Sequence, residues 1–386
     1  MRAPYGNEHR QLSHDAYIWQ RVWTPAVKSA VLDNASVVNT WRVLAAEARP
    51  NGGLTLIKPD MDTLRQSSRP VTLVIRIDGQ LRNFDRVRLQ EAVITLNRQW
   101  KSSGILVAAV EIDYDCATSR LPEYTEFLSG LRMQLDADVK LSITALPAWL
   151  GSKALPELLT HPDESVLQVH SVSHPGAGGL FDSAQASQWI NDYARTTGRG
   201  FRVALPTYSS RVGLDAEGDI AYVESESPIG RESITARELF VSPHAVKDLM
   251  QQINQSRPNN LLGYAWFRLP VQTDRRAWTA ATWRALVLDQ PLDSKVAFDV
   301  TATQDAKLFN LAVRNPGATD VMLPTRIRLP KDCEDADGAN DFIMESQEGN
   351  LWLSRHDPPL LQPGSEIAIG WVRCGNSPRG EIHAEG

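Results

Sequence analysis

Eight short apolar runs, separated by stretches with helical periodicity, limit what this chain can fold into more than any other feature. They occupy residues 16–23, 41–46, 71–78, 105–115, 139–146, 166–170, 201–205 and 261–269. Each has the length of a β-strand, and many are rich in Val, Ile and Leu, as strands buried on both faces must be. Between them, residues 86–100 place Val87, Leu89, Val93, Ile94, Leu96 and Trp100 on one stripe. Residues 122–135 open with Pro122 at a helix-entry position and set Tyr124, Phe127, Leu128 and Leu131 at i, i+3, i+4, i+7 spacing. Residues 183–196 and 242–253 repeat the pattern, the latter with Ser242 as N-cap and Pro243 in the first turn.

Strand and helix alternating eight times predicts a (β/α)8 TIM-type barrel over residues 1–290. The alternative is an open doubly wound sheet, but no Gly-x-Gly-x-x-Gly follows the first run. After Asp289 the texture changes. Short strands are expected at 296–303, 308–314, 325–329, 351–353 and 366–373, parted by Asn315-Pro-Gly317, Asp337-Gly338 and Pro363-Gly364 turns. Residues 291–386 are therefore expected to form a small all-β, sandwich-like domain.

A chain of 386 residues with 42% hydrophobic and 22% charged residues can bury a full core in one large domain and one small one. Its net charge of −6 and lack of a basic stripe argue against a nucleic-acid partner. No apolar run is long enough for a transmembrane segment. The polar first ten residues lack the core of an export signal, so the chain reads as soluble. Periplasmic or extracellular placement would require a signal already removed. Of the three cysteines, Cys333 and Cys374 share the C-terminal segment. They read either as a disulfide of an exported protein or as two separate thiols.

Alternation along the fourth run places Glu111, Asp113 and Asp115 on one face, roughly 6 to 7 Å between neighbours. Barrel active sites gather at the C-terminal strand ends, where these acids fall. Like charges at that distance, with little water, push one pKa upward and leave one acid protonated beside an ionised partner. Glycoside hydrolysis requires such a pair, one group to protonate the leaving oxygen and another to stabilise charge or act as nucleophile. Asp115 is the expected acid/base and Asp113 the stabilising or nucleophilic carboxylate, with Glu111 tuning both. The competing reading is that Arg21, Arg76 and Arg268 are permanently paired with these acids and hold the barrel together. Arg76, Asp78, Trp149, His170, Tyr208, Trp266 and Arg268, all near predicted strand ends, are the expected substrate-binding residues. Aromatic rings with carboxylates and arginines at one rim suit a carbohydrate ligand.

A metal-dependent hydrolase using His170 and His174 is a further alternative, but the four-residue spacing crosses a strand end, and neither metal nor cofactor is expected. No Gly-x-Ser-x-Gly elbow points to acyl-enzyme chemistry.

The segments Val110-Glu-Ile-Asp-Tyr-Asp-Cys-Ala-Thr118 and Tyr17-Ile-Trp-Gln-Arg-Val-Trp-Thr-Pro25 resemble those of an uncharacterised bacterial family over most of the chain. The resemblance implies a glycosidase-like barrel, often in exported proteins, without a settled substrate. The alternating acids also look like the Asp-x-x-Asp-x-Asp-x-Glu strand of chitinase-type glycoside hydrolases. Glu111, Asp113 and Asp115 fill its last three acidic places, ending in Asp rather than Glu, and Ala108 stands at the first. A catalytic barrel of glycoside-hydrolase type is the leading expectation here, and a non-catalytic glycan-binding or scaffold barrel the alternative.

Overall fold

The structure is a computed structural model that describes residues 12–49, 53–81, 85–170, 180–215, 220–224, 235–274, 276–356 and 360–385. Eight parallel strands close on themselves: β1 (Ser13–Ile18), β2 (Thr40–Arg49), β3 (Val71–Ile77), β4 (Val107–Tyr114), β5 (Lys140–Ala145), β6 (Glu164–Gln168), β7 (Gly200–Pro206) and β8 (Leu261–Phe267). Each pairs with its sequence neighbours, and β1 joins β8 through Asp15 opposite Ala265, so no edge is left among them. These are the eight apolar runs. A short strand, Gly53–Leu56, folds back antiparallel on β2.

Helices follow the strands: Pro25–Asn34, Met61–Ser67, Arg86–Ser102, Leu121–Gln134, Leu155–Leu158, Ser183–Thr196 and Pro243–Ser256. Local chemistry starts several of them. Asp60, Asp85 and Asp182 each accept a backbone N–H from the first turn, satisfying a donor that the helix itself cannot. The predicted stripe of Leu89, Val93, Ile94, Leu96 and Trp100 is buried, whereas Val87 is exposed. Inside the barrel Tyr17, Trp19, Leu44, Val74, Val166, Ala204 and Ala265 pack together, with Phe267 against them.

The chain divides into two compact units: Met1–Ser171 with Asp182–Pro206 and Leu249–Thr273, which holds the barrel strands, and Val172–Phe181 with Thr207–Asp248 and Asp274–Gly386. Segments 207–248 and 274–290 thus group with the C-terminal strands rather than with the barrel. Hydrogen bonds explain the grouping. The N–H of Ser209 donates to the Arg276 carbonyl at 2.6 Å and that of Trp278 to Thr207 at 2.8 Å. The Asp320 carboxylate accepts from the N–H of Thr279 at 2.7 Å, and Thr279 itself caps the helix Ala280–Val287 by accepting the Thr282 N–H.

Within the second unit, Ser210–Leu214 is flanked by Ile220–Glu224 and Thr235–Leu239 in an antiparallel sheet. One four-stranded antiparallel sheet comprises Ala297–Ala302, Leu308–Arg314, Glu366–Cys374 and Cys333–Gly338. Another comprises Ile343–Gln347, Asn350–Ser354, Arg326–Arg328 and His383–Glu385. Phe309, Leu311 and Val372 of the first share a core with Ile327 and Leu353 of the second. Cys333 and Cys374 lie opposite each other in register and are joined by a disulfide.

Candidate active site at the barrel mouth

Three acids rise at three depths, Glu111 and Asp113 along the inward face of β4 and Asp115 just past its end. Glu111 is deepest and fully buried. It accepts the Tyr17 hydroxyl at 2.7 Å and the Ser142 hydroxyl at 2.8 Å, and it is ion-paired with Arg42 of β2. Arg42 also meets Asp15 at 3.0 Å and Glu164 at 2.5 Å, and Arg202 joins the same two acids at 3.1 and 3.3 Å. Burial pushes the Glu111 carboxyl up, and Arg42, Tyr17 and Ser142 pull it back. The acid does point inward, but Arg42 answers its charge in a layer closed to solvent.

One step higher, Asp113 is 4% exposed, accepts the Thr144 hydroxyl at 2.8 Å and faces Arg76 at 3.7 Å. Burial and then the neighbouring Asp115 push its carboxyl up to about 6, against Arg76 and Thr144. Asp115 opens to solvent just past the strand and accepts from the Gln168 amide at 3.5 Å. Enclosure by protein raises it, and Asp78 adds to the effect, while Arg76 and Gln168 oppose. The two acids thus titrate as an interacting pair, both held above the ordinary carboxylate range.

The loop after β3 closes onto this pair. Gly79 approaches the Asp115 carbonyl so nearly that a Cβ would fall 2.3 Å from its oxygen, so only glycine fits there. Asp78 accepts the Gln80 N–H at 2.8 Å, which fixes the turn. Arg76 points inward as alternation predicts, its guanidinium 5.5 Å from the Trp19 ring. Beyond it lies a second ionic group. Arg21 clasps Glu47 through Nε at 3.1 Å and Nη2 at 2.6 Å, and Arg49 reaches the same carboxylate at 2.6 Å.

The other expected residues divide. His170 is buried, with Nδ1 3.3 Å from the Ala204 carbonyl and its ring stacked on Phe267 at 5.8 Å. Burial pushes it down to about 4, so it is neutral near pH 7. Arg268 follows β8 and is buried. Trp266 is a correction. Ala265 and Phe267 face the barrel interior, and Trp266 turns to the outer face, where its indole N–H donates to His14 at 3.0 Å. Trp149 is a second correction. It is fully buried against Tyr124 and donates its N–H to the Cys116 carbonyl at 2.9 Å, so no ring face is open to a sugar. Tyr208 falls in the second unit, bridged to Ala277 beside a cleft of about 290 Å³. His174 lies outside the described residues. Among the described residues, the acids and thiols near enough to hold a metal are Asp332, Cys333 and Cys374, and those two sulfurs are bonded to each other.

A family model described as a domain of unknown function, DUF3142, matches residues 67–272, from just before β3 to just past β8. The chain belongs to this family. A second domain of unknown function, DUF8456, matches residues 298–375, most of the C-terminal β-region. Several solved structures share the barrel fold at low identity. The spore cortex-lytic enzyme SleL of Bacillus megaterium QM B1551 is 11% identical, with a TM-score of 0.54 over 72% of this chain and 74% of its own. A chitinase from Bacteroides thetaiotaomicron is 12% identical, with a TM-score of 0.51 over 68% and 92%. A GH18 chitinase from Cycas revoluta, solved with (GlcNAc)4, is 13% identical, with a TM-score of 0.50 over 72% and 99%. These likenesses carry the fold. Among curated proteins, the human ATP-dependent RNA helicase homolog DQX1 is 28% identical over 188 residues, and the match spans only 24% of that protein.

Arg42, Asp15, Thr144 and the Glu47–Arg49 pair that Arg21 joins were not anticipated from the sequence. For Asp15 and Arg42 a signal was available: a charged residue within or beside an apolar run must be answered by an opposite charge once buried.

Proposed function

We propose that this DUF3142 barrel is a glycoside hydrolase acting on a polysaccharide at the strand-four mouth. The observation that carries the reading is the Asp113–Asp115 pair, with one carboxyl pushed up to about 6 beside an acid open to solvent. Asp115, nearest the opening, protonates the departing glycosidic oxygen. Asp113, oriented by Thr144 and Arg76, stabilises the positive charge that develops on the sugar ring. The fold shared with two chitinases and a spore cortex-lytic enzyme supports testing polymers of amino sugars first.

The test is reducing-sugar release from chitin, (GlcNAc)4, peptidoglycan and uronate-containing polysaccharides by the native protein and by Asp115→Asn. Release that falls by about 100-fold or more in the variant, with an unchanged melting temperature, is the expected outcome. Glycan binding without any release would favour a binding barrel instead. The 3.7 Å pairing of Arg76 with Asp113 and the short aspartate at position 115 would then be read as features of a ligand cradle.

A further inference from the structure

The second unit holds a cleft of about 290 Å³, in the lower range of clefts that take small ligands. Hydrogen bonds fix its walls. Tyr208 bridges to Ala277, and the buried Trp278 donates its indole N–H to the Val241 carbonyl at 2.9 Å, which brings the segment carrying Phe240 alongside. A further wall is the turn that ends at Ser365. The buried Asn315 donates its side-chain amide to the Leu361 carbonyl at 3.0 Å and its backbone N–H to the Ser365 carbonyl at 3.0 Å. The charged residue of the lining, Arg276, meets Glu238 at 3.3 Å, so its charge is answered within the wall. Tyr208 and Phe240 are half-buried and present ring surface to the cleft. Gln362 and Ser365 are half-buried too, and among the described residues no group bonds to the Gln362 amide or to the Ser365 hydroxyl. Unspent donors and acceptors beside aromatic rings, in a concave site without surplus charge, suit a molecule with apolar faces and hydroxylated edges. A pyranose ring is such a molecule.

We propose that this cleft binds the uncharged end of a glycan, with a sugar ring against Tyr208 and Phe240 and its hydroxyls on Gln362 and Ser365. None of the lining residues belongs to the Asp113–Asp115 mouth. Tyr208 and Phe240 lie in the DUF3142 region, and Gln362 and Ser365 in the DUF8456 region. The cleft therefore needs both regions and gives the C-terminal strands a part in ligand recognition. The walls are fixed before the ligand arrives, which lowers the ordering cost of binding. The inference goes beyond the glycosidase reading and does not depend on it, because the mouth can fail to cleave while this cleft still binds.

The experiment is calorimetric titration of the full chain carrying Asp115→Asn, so that nothing turns over. The neutral probes are (GlcNAc)4, cellotetraose and maltotetraose, and tetragalacturonate is the anionic one. At least one neutral probe should bind, and its Kd should rise about tenfold on adding Gln362→Ala and at least as much on adding Phe240→Ala. Gln362 has no side-chain partner among the described residues, so its variant should keep the melting temperature of the parent. The bound probe should also slow hydrogen exchange across residues 361–365. A probe that also enters the mouth gives a second binding event, which Gln362→Ala leaves in place. Failure of every neutral probe to bind, or a Kd that neither substitution changes, would overturn the inference. Tighter binding of tetragalacturonate than of any neutral probe, lost on adding Gln362→Ala, would overturn it as well. Binding at this cleft with no sugar release by the native protein would overturn the glycosidase reading alone.

Discussion

Asp113 places a testable cost inside the barrel. Its folded pKa of about 6 lies above the value near 3.9 of an unfolded aspartate, so the folded chain holds its proton more tightly. Between pH 4 and 6 the folded state therefore binds more protons than the unfolded one, and stability falls as pH rises through that window. Above pH 6 the whole penalty is present, of order 2 to 3 kcal/mol. Asp113→Asn keeps an acceptor for Thr144 and removes the titration. Urea unfolding of the variant should be flatter than that of the native protein by roughly that amount between pH 4 and 7.5. Parallel profiles would show that Asp113 is not perturbed. For catalysis a raised pKa has the opposite value, because the pair must retain one proton for Asp115 to donate. Activity should decline as pH rises through the upper pKa of the pair. Asp78→Asn removes a negative charge that helps raise Asp115, and the amide can still accept the Gln80 N–H. Its alkaline limb should move to lower pH, and a limb that stays in place or moves upward would separate Asp78 from the pair.

Arg42 shows how strands are joined by charge rather than by apolar packing alone. It reaches from β2 to Asp15 on β1, Glu111 on β4 and Glu164 on β6, all buried. Arg42→Met leaves those acids with Arg202 as the nearby cation, and the loss should be about 3 to 5 kcal/mol at pH 7. The variant's carboxylates then have raised pKa values, so the deficit should narrow at pH 5 as they take up protons. A deficit equal at both pH values would show that lost packing, not charge, is the cause. The network also marks where the sequence becomes hard to read. The eight strands were legible because Val, Ile and Leu runs of strand length recur between helical stretches. Which face of a run turns inward was legible only where polar residues alternate, as at Arg76, Asp113 and Asp115. In 261–269 the residues around Trp266 are almost all apolar, so nothing marks the inner face, and the indole proved to be on the outer one. The first strand ends at Ile18 rather than at residue 23, because Trp19 and the residues after it lead out of the ladder towards the helix at Pro25. The pairing of Arg42 with residues up to 122 positions away is a product of barrel closure, which no local pattern encodes.

The two units meet their stability requirement by different means. The barrel strands enclose a buried core and carry Cys116 as a thiol that burial pushes up to about 12, which leaves it inert near neutrality. The β-region has shorter strands and a smaller core, and its disulfide closes a separation of 41 residues between Cys333 and Cys374. Restricting a loop of that length in the unfolded chain contributes about 4 kcal/mol. Replacing both cysteines by alanine should therefore weaken hydrogen-exchange protection in Leu308–Arg314 and Glu366–Cys374, the strands beside the bond. The barrel strands Val107–Tyr114 and Lys140–Ala145 have their hydrogen bonds within the first unit and should keep native protection. Unchanged protection at Glu366–Cys374 would mean that the hydrogen-bond ladder alone holds the β-region. Protection lost only there would assign the disulfide to the integrity of the β-region and leave the Asp113–Asp115 mouth independent of it.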